Sequence, residues 1–246
     1  MIIDAHVRLG PGRSASLDVA GLTATMDRLG IDRALVAPGE YATAWDNRAG
    51  NDLTTAAAAA SDGRLVAYAV ANPWAGADAV AELARARDLG ARALAVDAAL
   101  QGFELLDGLV DPLLAFAQES GWLVYVRTGT PPHAVPLPLA SLAQRWPELS
   151  FVMGRSGATD FWIDAAPALR HAPNLYGDTC YAPWDTVLSE FARDPEIGAG
   201  RLVFSTDAPY TAPEAELARI TGWPIPDDDR TAVLGGTLGR LLASGP

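Results

Sequence analysis

Ile3-Asp4-Ala5-His6-Val7-Arg8 is the stretch on which the reading of the fold and of the chemistry both turn. An apolar run that ends in polar residues at alternate positions describes a buried strand, one that delivers His6 and Arg8 to the same side of its carboxyl end. With histidine at position 8 this would be a metal-binding strand. Arginine stands there instead.

Outward from that strand the chain alternates between two periods. Leu17 to Leu29 carries apolar residues at helical spacing and stops at Gly30, a residue suited to a helix C-terminus. Arg33 to Ala37 predicts a second strand closed by Pro38-Gly39, and Asn51 to Ala60 an alanine-rich helix closed by the turn Ser61-Asp62-Gly63. The same reading predicts strands over Leu65 to Val70, Ala91 to Val96, Trp122 to Val126, Ser150 to Met153, Leu175 to Gly177 and Leu202 to Ser205. Between and after them it predicts helices over Ala77 to Leu89, Asp107 to Ser120, Leu137 to Trp146, Asp160 to His171, Asp185 to Arg193 and Asp229 to Leu242. Pro167 implies a kink or a split in the helix that contains it. Eight strands alternating with eight helices imply a parallel sheet, and eight is the number that closes into a single-domain (β/α)8 TIM barrel over residues 1–246. An open doubly wound sheet is the alternative, weakened because no Gly-rich dinucleotide fingerprint follows the first strand.

Composition bounds the function. Half of the 246 residues are apolar and 20% are charged, enough to bury one large core. A net charge of −12 argues against nucleic acid and against an anionic membrane surface as partners. The chain has no lysine, so all 18 basic residues are arginines. Cys180 has no partner for an internal disulfide, and neither a leader nor a long apolar span is visible, so a soluble cytoplasmic protein is expected.

In a barrel of this kind the loops after the strands build the catalytic face. The polar residues there are His6 and Arg8, Asp97, Arg127 and Thr128, Arg155 and Ser156, Asp178 and Cys180, and Asp207. Trp45, Trp74, Trp162 and Trp184 fall on the same side, able to wall an apolar substrate or simply to pack.

The chain resembles the amidohydrolase superfamily, in its decarboxylase and lactonase branch, often called amidohydrolase-2. Carrying the resemblance are Ile3 to Arg8, Tyr125-Val126-Arg127-Thr128-Gly129, Met153-Gly154-Arg155-Ser156-Gly157, Pro173 to Thr179, and Arg201 to Pro209. Leu234-Gly235-Gly236-Thr237 is similar to the family's final-helix signature, with threonine where asparagine is usual. The resemblance implies a TIM barrel, hydrolysis or a lyase reaction such as decarboxylation or dehydration, and a homodimer.

The family's metal chemistry does not carry over. Its pattern ends the first strand His-x-His, the fifth and sixth strands in histidine and the eighth in aspartate. Here His6 and Asp207 remain, while Arg8, Arg127 and Arg155 stand at the other three places. Arginine has a permanent charge and no lone pair to donate, so no metal and no other cofactor is expected. Three forked donors around one cavity suit a small anionic ligand, carboxylate or phosphate. Equally, Arg8 or Arg155 could pair internally with Asp207, Asp178 or Asp97 and fill the former metal site. Asp207 is the candidate base, its pKa lowered by the arginines, and His6 the candidate acid. Two rival readings stay open. One is a barrel that binds a ligand or partner without catalysis, and the other keeps a weak metal on His6, Asp207 and His133.

Overall fold

In the computed structural model, which describes residues 1–182 and 185–243, eight parallel strands follow one another around the barrel in chain order. They are β1 (Ile3–Leu9), β2 (Arg33–Pro38), β3 (Leu65–Ala69), β4 (Ala93–Val96), β5 (Leu123–Arg127), β6 (Phe151–Gly154), β7 (Leu175–Asp178) and β8 (Leu202–Val203). The ring closes between β1 and the residues after β8. Ala5 N–H donates to the Phe204 carbonyl at 2.9 Å, Asp207 N–H to that of His6 at 3.1 Å, and Arg8 N–H to that of Ala208 at 2.8 Å. The expected (β/α)8 barrel is the observed one.

The strands are apolar runs rather than alternating ones because both of their faces are covered. Ile3, Ala5, Leu35, Tyr68, Tyr125, Val152 and Val203 fill the interior of the barrel. Val7, Leu9, Val36, Leu94, Val124 and Met153 face outward and pack under the helices. In β1 the inward face changes over. Asp4 pairs with Ala34 and Val7 with Val36, so β1 carries one residue more than β2 across that interval. Such a bulge re-aims side chains. Here it leaves Val7 outside and brings His6 and Arg8 to the mouth.

The helices are α1 (Val19–Leu29), α2 (Glu40–Ala44), α3 (Asn47–Ala59), α4 (Ala77–Asp88), α5 (Ala98–Gln101), α6 (Asp111–Glu119), α7 (Pro136–Arg145), α8 (Ala158–Phe161), α9 (Ala165–His171), α10 (Asp185–Arg193), α11 (Pro213–Thr221), α12 (Asp227–Thr231) and α13 (Thr237–Ala243). α1 shows why the local signals work. Asp18 accepts from Gly21 N–H at its start, and Gly30 closes it in the left-handed region at φ 69°.

Several elements depart from the sequence reading. The helix Asp160 to His171 splits into α8, a 3-10 turn at Trp162–Asp164, and α9. Pro167 falls in the first turn of α9, where its missing N–H has no intrahelical partner to lose. The last helix is interrupted by a π-helical turn at Ala232–Gly236. α2 and α11 lie in stretches to which the sequence reading assigns no element, and β8 is shorter than expected. No helix among the described residues is long and apolar enough to cross a membrane.

Candidate active site

The carboxyl ends of the strands bring together all five residues that the sequence singles out, and they do so as two ion-paired groups. The first forms at the β8–β1 seam. His6 Nδ1 lies 3.1 Å from Asp207 Oδ1, and both side chains are fully buried, at 1% and 0% exposure. The other oxygen, Oδ2, accepts from Arg155 Nε at 2.9 Å and Nη2 at 2.5 Å. Burial alone would raise the carboxyl pKa. The bond from His6 and the charge of Arg155 outweigh it and hold Asp207 down at about 2. Burial pushes the pKa of His6 below its ordinary value despite Asp207. The pair therefore stands as carboxylate and neutral imidazole at pH 7.

This group is held rigidly. The His6 ring lies flat on Tyr125, centroids 4.3 Å apart and planes 1° from parallel. Arg155 lies over the ring of Tyr181 at 4.4 Å. Asp207 (φ 52°), Arg155 (φ 63°) and Tyr181 (φ 61°) all sit in the left-handed region, a strained conformation that concentrates at functional sites.

The second group forms across the mouth, over β4 and β5. Arg8 Nη2 donates to Asp97 Oδ2 at 2.7 Å, and Arg127 Nη1 lies 3.6 Å from the same oxygen. Asp97 Oδ1 accepts from Leu100 N–H at 3.2 Å and caps α5. Two guanidinium groups thus share one carboxylate, which holds them together but leaves the three-residue group with a net positive charge. The arginine trio expected to face an anion is thus largely turned onto aspartates, the internal pairing that the sequence left open. Arg127, its side chain 21% exposed, is the least committed of the three.

Below the mouth lies a polar layer that sequence reasoning missed, except for Asp178 and Cys180. Tyr125 Oη donates to Asp178 Oδ2 at 2.8 Å, and the Cys180 N–H donates to Oδ1 at 3.0 Å. Tyr68 Oη donates to the Ala5 carbonyl at 2.8 Å. Asp4 accepts from Thr206 N–H at 2.9 Å and Oγ1 at 2.5 Å, tying β1 to the end of β8. Burial raises Asp178 to about 6 and Asp4 to about 7. It also pushes the Cys180 thiol up, the state of an inert buried thiol rather than a reactive one. One signal could have found Tyr125. It stands two residues before Arg127 on β5 and so shares its face.

The remaining candidates lie apart. His133 contacts the Phe103 carbonyl at 3.2 Å and Glu104 at 3.3 Å, away from Asp207, and His171 is exposed at the end of α9. Trp45 and Trp74 are exposed, Trp162 is half-buried, and Trp184 lies outside the described residues.

These donors do not suit a divalent cation. Arg155 occupies one oxygen of Asp207 and His6 the other, and guanidinium groups stand where further ligands would be needed. Among the described residues, no group of three or more His, Cys, Asp or Glu side chains is placed to hold a metal ion.

Residues 3–242 match the family model described as Amidohydrolase. Among solved structures, an uncharacterised TIM-barrel protein of Bordetella bronchiseptica is 20% identical, with 99% of this chain and 98% of that chain covered and a TM-score of 0.78. A dihydroxybenzoic acid decarboxylase of Polaromonas, solved with manganese and the inhibitor 2-nitroresorcinol, is 17% identical over 98% of this chain and 96% of its own, with a TM-score of 0.75. A 4-oxalomesaconate hydratase of Rhodopseudomonas palustris is 13% identical over 99% and 96%, with a TM-score of 0.72. At these identities the likeness establishes the fold. No curated protein matches the sequence.

Proposed function

The chain belongs to the amidohydrolase family, and from that premise we propose that it is an enzyme acting on a small carboxylate-bearing molecule without a divalent cation. The observation that carries this reading is the His6–Asp207 pair, set in a mouth where three guanidinium groups face two carboxylates. With Asp207 ionised, its contact with Nδ1 favours the tautomer that carries the proton there and leaves the Nε2 lone pair available. His6 then accepts the proton, while Asp207 orients the ring and balances the imidazolium that forms. A carboxylate held near 2 is itself a poor base, so in this reading the role of base passes from Asp207 to His6.

A neutral imidazole can take a proton from a water that attacks a lactone carbonyl. It can equally take one from a carbon beside a carboxylate as water is lost. Decarboxylation instead requires a proton delivered to carbon, for which a neutral His6 is poorly prepared. Hydrolysis or the loss and addition of water is therefore the favoured chemistry, and the arginines supply the positive field that steadies developing negative charge.

The test is turnover of a panel of lactones, hydroxy acids and aryl carboxylates by the unmodified protein and by His6→Gln and Asp207→Asn. Removing the base should lower turnover by about 10²- to 10⁴-fold with affinity retained. The near-complete burial of His6 and Asp207 favours a second reading, a ligand-binding barrel without catalysis. Binding across the panel with no turnover would establish it.

A further inference from the structure

Arg8 is only 4% exposed, yet its guanidinium uses few of its five donors. Nη2 donates to Asp97 at 2.7 Å and Nη1 reaches Thr43 Oγ1 only at 3.5 Å. Its Nε–H has no hydrogen-bond partner. A buried donor without an acceptor is destabilising. Among the described residues Arg8, Arg33 and Arg230 have an Nε–H left so, and of these Arg8 is the one at the mouth, beside a second cation that shares its carboxylate.

Arg127 supplies the other half. Its Nη1 stands 3.6 Å from Asp97 Oδ2, beyond hydrogen-bond length, and its side chain is partly open to solvent. One carboxylate oxygen thus serves two cations, while Glu40, the further carboxylate whose charge acts on Arg8, is itself bonded to Arg13. Arg155 differs, with Nε and Nη2 both donated to Asp207.

We propose that Arg8 and Arg127 form the subsite for the carboxylate of the substrate. One ligand oxygen accepts from Arg8 Nε–H and the other from Arg127, while Asp97 is the fixed counter-ion that gathers the two heads. Arg155 takes no part in binding and belongs to the His6–Asp207 pair. This rests on the reading of a carboxylate substrate above, and it separates three arginines that look equivalent in the sequence. A planar anion is selected over a neutral amide or ester, because only an anion relieves the surplus charge.

Benzoate is the probe, titrated by calorimetry, with benzamide as its neutral counterpart. Arg127→Gln should weaken benzoate by about ten- to a hundredfold, the loss of one hydrogen bond to a charged group, and leave Tm unchanged. Arg8→Gln combined with Asp97→Asn removes both charges, so that no buried carboxylate is left alone, and should weaken benzoate by about tenfold or more while Arg127 still favours it over benzamide. Arg170→Gln, which removes a surface arginine paired with Asp194, should change nothing. Benzoate affinity that survives both mouth variants, benzamide binding as tightly as benzoate, or no benzoate binding at millimolar concentration would each overturn the subsite. If benzoate follows the expected pattern but no member of the panel is turned over, the enzyme reading fails and the subsite stands. Turnover with a KM untouched by Arg127→Gln would instead uphold the enzyme and overturn the subsite.

Discussion

The two arginine–aspartate groups at the mouth answer the same problem differently. At the β8–β1 seam one arginine directs two donors to one oxygen of Asp207, and His6 takes the other oxygen, so charge and hydrogen bonds balance. Across the mouth two arginines converge on one oxygen of Asp97, and Arg8 keeps a buried donor with no acceptor. On the proposal above, the balanced group holds its members in position and the unbalanced one receives the ligand. Three arginines at strand ends thus form two groups of opposite character.

The largest difference between the groups should emerge at their aspartates. Asp207→Ala strands a buried arginine and should destabilise the fold by about 3–5 kcal/mol, roughly a 10 °C fall in Tm by calorimetry. Asp97→Ala should cost less, about 2–3 kcal/mol by urea unfolding, because Asp97 takes one bond from Arg8 where Asp207 takes two from Arg155 and a third from His6.

Acid titration separates the carboxylates next. The folded pKa of Asp207, about 2, lies below its ordinary 3.8, so its contribution of about 2 kcal/mol is present above pH 4 and lost as pH falls toward 2. Asp178 at about 6 and Asp4 at about 7 are raised instead. Their contribution is complete below pH 4 and is lost as pH rises toward 7. Urea unfolding across pH 2–8 should thus show a stability maximum near pH 3–4, and Asp4→Asn should flatten the decline above it. Tyr125→Phe, which keeps the ring on His6 but loses the bond to Asp178, should cost about 1 kcal/mol. Arg127→Gln should stay within about 0.5 kcal/mol of the parent, since its charge pair is long and partly solvated.

Much of this is legible in the chain itself. Strand ends, the eightfold count and the convergence of His6, Arg8, Arg127, Arg155 and Asp207 follow from local patterns, because each strand is short, apolar and bounded by turn residues. What stays hidden depends on register. Whether Arg8 faces the mouth or the surrounding helices turns on a one-residue bulge in β1 that alternation does not reveal. The stacking of Tyr125 under His6 joins residues far apart in the chain, and α2 and α11 lie in stretches to which the sequence reading assigns no element.

Catalysis by His6 and Asp207 among arginines stands or falls on whether a metal is needed. Protein purified without added metal is analysed for zinc and manganese, and its turnover on the best member of the substrate panel is measured before and after treatment with a chelator. The expected result is substoichiometric metal and turnover that chelation leaves intact. A tightly bound, stoichiometric zinc or manganese whose removal abolishes turnover would contradict it.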